Sequence, residues 1–360
     1  MKLDRIAHLF DDPGPFASAY VDASRDQQSG NTVVELHARA AADALRGQGA
    51  PAAVAELVQE ALTESTHEGA PVSRCVVATE RGVLFDALTR SHRTQPICSW
   101  DSLPDLLGWI EDESLAVPYV LALVDHEGGQ IATFGRDPVA AESTQTVGES
   151  SPRVHKVGGG GWAHLRLQRS IEEVWARNAR EVVTEIERQV RIGPSLVVLA
   201  GDPQSRHFVR EGLGGIEAEI VELSSGGRAA DGGDDALQAE IREVLREQIV
   251  AGNLREVHEV KERLGRGESV ATGIADVTTA LVRGQVDRLL IDPTEAASYT
   301  INLSDHPGLS FGSVSPPDTV RADRALVAAA CLTDADVTVV RTALLFDTPA
   351  VALLRWHQTG

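Results

Sequence analysis

Short β-type runs alternate with amphipathic helical tracts along almost the whole chain, and that order confines it to the α/β class. The sharpest run is Leu196-Val-Val-Leu-Ala200, uninterrupted by polar residues and closed by Gly201-Asp-Pro, the pattern of a strand buried on both faces. The tract before it places Ile171, Val174, Trp175, Ala179, Val182, Val183, Ile186 and Val190 on one face of a long helix ending near 190. Glu173/Arg177 and Glu187/Arg191 form i,i+4 pairs on its wet side. A second long helical tract covers about 235–264, with a weak break at Gly252. Such one-sided helices need a sheet to cover.

At 360 residues the chain exceeds one compact core, so two or three domains are expected. The first third reads as a strand at Phe16–Asp22, helices near 32–47 and 52–64, and strands at Arg74–Thr79 and Gly82–Phe85 joined by a Glu-Arg turn. Pro104, several acids and Pro118 set a boundary near 117. Beyond it, Tyr119–Asp125 and Gln130–Phe134 flank His-Glu-Gly-Gly, a hairpin signal, and a polar loop follows over 141–152. Ile220–Leu223 is a further strand ahead of a Gly/Asp loop at 225–234. The last third reads as a helix at 273–283, a strand at Asp287–Asp292, an irregular stretch over 293–318, a helix at about 320–332, and closing strands at Ala335–Val340 and Ala350–Trp356.

Charge narrows the function classes. With 53 Asp+Glu against 33 Lys+Arg the formal charge is −20, which argues against a chain that coats nucleic acid with its whole surface and against an anionic-membrane binder. No apolar run reaches the roughly 18 residues needed to span a bilayer, and the opening MKLDRIAHLF is not a signal peptide. Cys75, Cys98 and Cys331 are odd in number and widely spaced, which suits a reducing cytoplasm. The eleven histidines contain no HExxH, so neither a metal nor a cofactor is expected.

Against that acidic background, Gly158, Gly159, Gly160 and Gly161 form a tetraglycine inside a basic stretch. Four successive glycines forfeit much backbone entropy on ordering and suit a loop that must move or approach a partner closely. From Arg153 to Arg169 there are four basic residues (Arg153, Lys156, Arg166, Arg169) and no acid. Trp162 adds a flat surface on which a base can stack, and His155 and His164 flank the loop. Two readings stay open: a solvated loop with incidental arginines, and a contact for RNA, which the combination favours. A nucleotide cradle is disfavoured, because no Gly-Lys-Ser/Thr ending and no Gly-x-Gly-x-x-Gly after a strand is present. Gly308-Leu-Ser-Phe-Gly312 spells a nucleophile elbow but has Asp-His-Pro before it and Pro316-Pro317 after it, where strand and helix are required.

Taken in order, these segments resemble the archaeal and eukaryotic peptide chain release factors and Pelota, in the bacterial branch of that family, closest to the Balon-type ribosome hibernation factors and their actinobacterial relatives. The resemblance runs through the hairpin Val120–Phe134, Gly158-Gly-Gly-Gly-Trp-Ala-His-Leu-Arg-Leu167, Glu173 through Asn178, Leu196–Gly201 and Phe208. It continues in Thr272-Gly-Ile-Ala-Asp-Val-Thr-Thr-Ala-Leu281, Gly284-Gln-Val-Asp-Arg-Leu-Leu-Ile291 and Val351-Ala-Leu-Leu-Arg-Trp356. It implies three mixed α/β domains, 1–117, 118–255 and 256–360, in a tRNA-mimicking arrangement. Two departures matter. Trp162 stands where a release factor has its catalytic glutamine, and an indole N–H only donates. The stop-codon motif Asn-Ile-Lys-Ser is absent, since the three lysines are Lys2, Lys156 and Lys261 in other contexts. Gly128-Gly-Gln130 spells the release-factor signature but falls in the hairpin, where Gly-Gly is turn chemistry.

The resemblance therefore implies a monomeric, cytoplasmic, non-enzymatic factor that occupies the A site of the bacterial ribosome as a hibernation or stress factor, with no membrane, DNA or cofactor partner. Arg153, His155, Lys156, Gly158 to Gly161, Trp162, His164, Arg166, Gln168 and Arg169 would face rRNA. The N-terminal domain would approach the decoding centre, and the C-terminal domain would face a translational GTPase, elongation factor Tu. The alternative is a peptidyl-tRNA hydrolase or rescue factor that uses Gln168, six residues beyond the usual glutamine position.

Overall fold

The computed structural model describes residues 3–25, 30–65, 72–89, 91, 93, 95–135, 143–147, 177–225, 234–341 and 347–356. The chain divides into two compact units, one made of Met1–Leu115 with Ala251–Gly360 and the other of Ala116–Val250. Both are mixed α/β.

The first segment opens with a 3-10 helix, Asp4–Asp11, followed by β1 (Phe16–Asp22), α1 (Gly30–Gly47), α2 (Ala52–Thr63), β2 (Ser73–Thr79), β3 (Gly82–Thr89), β4 (Ile97–Asp101) and α3 (Leu107–Ser114). The strands form an antiparallel sheet in the order β3-β2-β1-β4. Side chains alternate across it: Ala17, Ala19, Val21, Val76 and Ala78 lie under α1 and α2, while Phe16, Tyr20, Cys75 and Val77 enter the opposite core with Phe10, Phe85 and Trp109. On that side the Tyr20 hydroxyl donates to Asp112 (2.5 Å) and pairs with Thr89 Oγ1 (2.5 Å), and Arg93 stacks 4.9 Å over its ring. Burial first, and then Asp112, push that hydroxyl far above its ordinary pKa. β4 and α3 occupy a stretch whose pattern predicts only a boundary.

The middle unit contains β5 (Tyr119–Asp125), β6 (Gly128–Phe134), β7 (Ser143–Val147), α4 (residues 177–190), β8 (Leu196–Gly201), α5 (Pro203–Gly212), β9 (Glu219–Glu222) and the start of α6 (Asp234–Gly265). The sheet order is β7-β6-β5-β8-β9, with β5, β8 and β9 parallel and β6 antiparallel to both of its neighbours. α4 and α5 cover one face through Ala179, Val182, Val183, Ile186, Val209 and Leu213. α6 covers the other through Leu237, Ile241 and Val244. β8 is therefore buried on both faces, as its unbroken apolar run requires. β7 lies where a polar loop is expected; Thr144, Thr146 and Val147 suit an edge strand that pairs on one side only. α6 runs through Gly252 without a break, since both halves pack against cores and a single glycine costs a helix only about 1 kcal/mol.

The last segment returns to the first unit with β10 (Val270–Thr272), α7 (Gly273–Val282), β11 (Val286–Ile291), α8 (Pro293–Ala296), β12 (Thr300–Asn302), β13 (Thr319–Arg321), α9 (Ala322–Leu332), β14 (Asp336–Val339) and β15 (Ala350–Leu354). Four of its strands form a sheet ordered β10-β15-β11-β14, and β12, inside the stretch expected to be irregular, pairs with β13 just beyond it. The second half of α6 closes one face of that sheet with Val257 and Val260. On the other face α9 is buried along its whole length from Ala322 to Cys331, because it packs against this sheet and against the first segment at once. Beyond the charged pair Asp323 and Arg324 in its first turn, its small apolar side chains on every side suit that central position. The two ends of the chain thus share one core.

Candidate functional site

Four strands of the middle sheet, β7, β6, β5 and β8, share one row of paired residues at one end. Val124 stands opposite both Gly129 and Gly201, and Gly129 stands opposite Val147, so the carboxyl ends of β5, β7 and β8 lie side by side. In open α/β sheets this is the edge that carries binding sites. Gly201 has φ +113°, and a Cβ there would run into the Val124 carbonyl oxygen, so only glycine lets the two strands approach this closely. Asp202 then caps α5 by accepting from Gln204 N–H at 3.0 Å, with Pro203 in the first helical position.

The β5–β6 turn consists of His126 and Glu127, whose amide donates to Asp125 Oδ1 at 2.8 Å. Gly128 and Gly129 belong to β6 rather than to the turn, a correction to the sequence reading of Gly128-Gly-Gln130. Gly129 is small because α4 rests on it: a Cβ there would meet Val182 Cγ2 at 3.1 Å and Val124 Cγ1 at 3.2 Å.

The candidate residues Arg153, His155, Lys156, Gly158, Gly159, Gly160, Gly161, Trp162, His164, Arg166, Gln168 and Arg169 lie outside the described residues, as do Glu173 and Trp175. The points where the chain leaves for this segment and returns from it are both described. It leaves from Val147, paired with Gly129. It returns in the first described turn of α4, where Asn178 Nδ2 donates to the His126 carbonyl at 3.2 Å. The described residues on either side of this stretch, Val147 and Asn178, are therefore both held to one hairpin at the carboxyl edge of the sheet. Farther along α4, Glu185 accepts from Arg188 at 2.6 and 2.9 Å, which holds its carboxyl below the usual range, and from Gln189 at 2.7 Å.

Two buried polar atoms near this edge have no partner among the described residues, Asn178 Oδ1 and Ser205 Oγ in the first turn of α5. Sequence reasoning placed no role on Ser205 and missed α5. The signals were present: Asn178 interrupts the apolar stripe of α4, and Asp202-Pro203 is a helix-start pair. Ser310 of the elbow-like motif lies between β12 and β13, with Phe311 buried and Ser313 N–H donating to the Phe10 carbonyl at 2.7 Å, so no strand-to-helix turn presents it. Among the described residues no His/Cys/Asp/Glu cluster could hold a metal ion, and no helix is long and apolar enough to cross a membrane.

Residues 118–266 match the profile of the bacterial archaeo-eukaryotic release factor family 2. Over this middle region the chain is similar to the bacterial archaeo-eukaryotic release factors. The release-factor match begins one residue before β5 and ends just beyond α6, so it contains the hairpin, the basic segment and the carboxyl edge together. The chain is also 26% identical over 300 residues to an uncharacterised protein of Mycobacterium tuberculosis H37Rv, covering 81% of this chain and 78% of that one. Among solved structures it is similar to Dom34 of S. cerevisiae, described as a translation termination-like factor (9% identity, 80% of each chain, TM-score 0.42). It is also similar to Pelota of Archaeoglobus fulgidus (14% identity, 82% of each chain, TM-score 0.36).

Proposed function

We propose that this release-factor relative is a ribosome-binding factor of the hibernation or stress type, which occupies the A site without decoding a stop codon and without hydrolysing peptidyl-tRNA. The observation that supports the reading is that Val147 and Asn178, the described residues flanking the stretch that contains the acid-free basic run 153–169, are both held to one hairpin at the carboxyl edge of the sheet in the family-matched region. Arg153, Lys156, Arg166 and Arg169 supply phosphate contacts, and Trp162 supplies a stacking surface. Trp162 in place of a glutamine removes the amide that would orient water, which favours occupancy over hydrolysis. In this reading residues 1–117 serve the decoding centre, 118–255 the peptidyl transferase centre and 256–360 a translational GTPase such as elongation factor Tu.

The test is co-sedimentation of the full chain with bacterial ribosomes across a salt series. Four cations limit the slope of log K against log salt to a magnitude of about 3–4, and Arg166→Glu with Arg169→Glu lowers it by about 1–2. Failure to sediment, or a slope untouched by the double reversal, refutes the ribosomal contact. Peptide release from peptidyl-tRNA-loaded ribosomes that disappears in Gln168→Ala refutes the non-hydrolytic part and establishes the rescue-hydrolase alternative.

A further inference from the structure

Asn178 is the anomaly of the α4 interface. It lies on the buried stripe with Ala179, Val182 and Val183, only 1% exposed, where every other requirement of packing favours an aliphatic residue. Half of its amide is used, by the Nδ2 bond to the His126 carbonyl. The other half is not, since Oδ1 is buried without a partner among the described residues. His126 is exposed, so its carbonyl could be hydrated without Asn178. A leucine, with the same branching and the same number of heavy atoms though bulkier, would remove the unmet acceptor and extend the apolar stripe. A residue that opposes local packing yet fixes one point of geometry has the signature of a functional constraint.

What it fixes is specific. Val147, the departure point of the basic segment, is held by β6 at Gly129. The return point is tied by Asn178 to His126, three residues earlier on the same hairpin. We propose that Asn178 is a positioning residue, which ties the first described turn of α4 to the β5–β6 turn and so sets the separation of Val147 and Asn178, the described residues on either side of the stretch that carries the basic run. The inference rests on the reading of that segment as the ribosomal contact, and its experiment is chosen to keep the two apart.

Full-length wild type, Asn178→Leu and Asn178→Ala are compared in thermal unfolding, in amide exchange at residues 126–129, and in ribosome co-sedimentation. Asn178→Leu is expected to unfold at or above the wild-type temperature while exchange at the turn quickens. Its ribosome affinity should fall by about fivefold to tenfold, the loss of one net hydrogen bond, with an unchanged salt slope because the cations are still present. Asn178→Ala should show the same loss of affinity. A binding loss that merely tracks a lowered unfolding temperature in both variants overturns the proposal, because Asn178 is then only structural. Wild-type affinity in both variants overturns it as well. If wild type itself does not sediment, the ribosomal reading fails and the exchange data decide alone: faster turn exchange upholds the tie, and unchanged exchange refutes it.

Discussion

Arg324 is the residue on which the union of the two ends of the chain can be tested most directly. It projects from the buried helix α9 and is 6% exposed. One guanidinium nitrogen bonds Asp101 at the end of β4, and the other bonds Asp105 just before α3 at 3.0 Å, across 219 residues of sequence. Breaking a buried ion pair by removing one partner costs about 3–5 kcal/mol. Asp101 is 37% exposed and screened by water, so its share is discounted, whereas Asp105 is 14% exposed and is left poorly solvated. Arg324→Met should therefore lower the stability of the first unit by about 3 kcal/mol, near the bottom of that range. Asp105→Asn should cost about 1–2 kcal/mol, and the double variant should recover about 1–2 kcal/mol relative to additivity. Native-state amide exchange reads this without assuming that both units unfold together. Protection should fall in β2 (Val76, Val77) and in β11 (Leu289 to Ile291) by the same free energy, because both strands feed one core. A loss below 1 kcal/mol, or a loss confined to one of the two strands, refutes the argument that the chain ends fold as one body.

Arg74, 7% exposed, bonds Asp86 through Nε (2.7 Å) and Nη2 (2.5 Å) and reaches Glu64 at 3.0 Å. Arg74→Met is expected to cost about 2–3 kcal/mol in urea unfolding, and Arg74→Lys to restore less than half of it, since an ammonium cannot make the fork. Gly201→Ala should destabilise the middle unit by at least about 3 kcal/mol through its positive φ and the collision with the Val124 carbonyl, seen as lost amide protection in β5 and β8. Burial pushes the Cys98 thiol up to about 11. At pH 8 the folded protein then carries about a hundredfold less Cys98 thiolate than an ordinary thiol, and alkylation by iodoacetamide should stay slow until the pH approaches 11. Rapid alkylation of folded protein at pH 8, located at Cys98 by mass spectrometry, contradicts that burial.

The fold was legible where the apolar period was strong and partners were close in sequence. β5, β6, β8, the end of α4 and the two ends of α6 lie within a few residues of their expected positions. The misses share a cause. β7 is polar because an edge strand needs no buried face, and α5 is mostly polar because it meets the core through few residues, Ser205, Val209 and the following Leu213, with Phe208 partly buried beside them. Three-residue strands such as β10, β12 and β13 are too short for a period of two to register. The shared core of the chain ends was illegible for a different reason. Every pattern used is local, whereas Arg324 meets Asp105 across 219 residues, and the local trace was a helix, α9, apolar on all sides beyond its first turn.

The site divides the same way. Composition identified the basic glycine-rich segment because its +4 charge and absence of acids stand out in a chain of −20. What composition could not supply is the frame that gives such a segment a direction. That frame depends on long-range register: Val147 against Gly129, Gly129 against Val124, Val124 against Gly201. Three of these four residues are unremarkable in sequence, and their meaning comes only from standing in one row. The His126 turn enters that row only through register, and the Asn178 bond to its carbonyl joins α4 to it across 52 residues of sequence, a link that no local pattern carries.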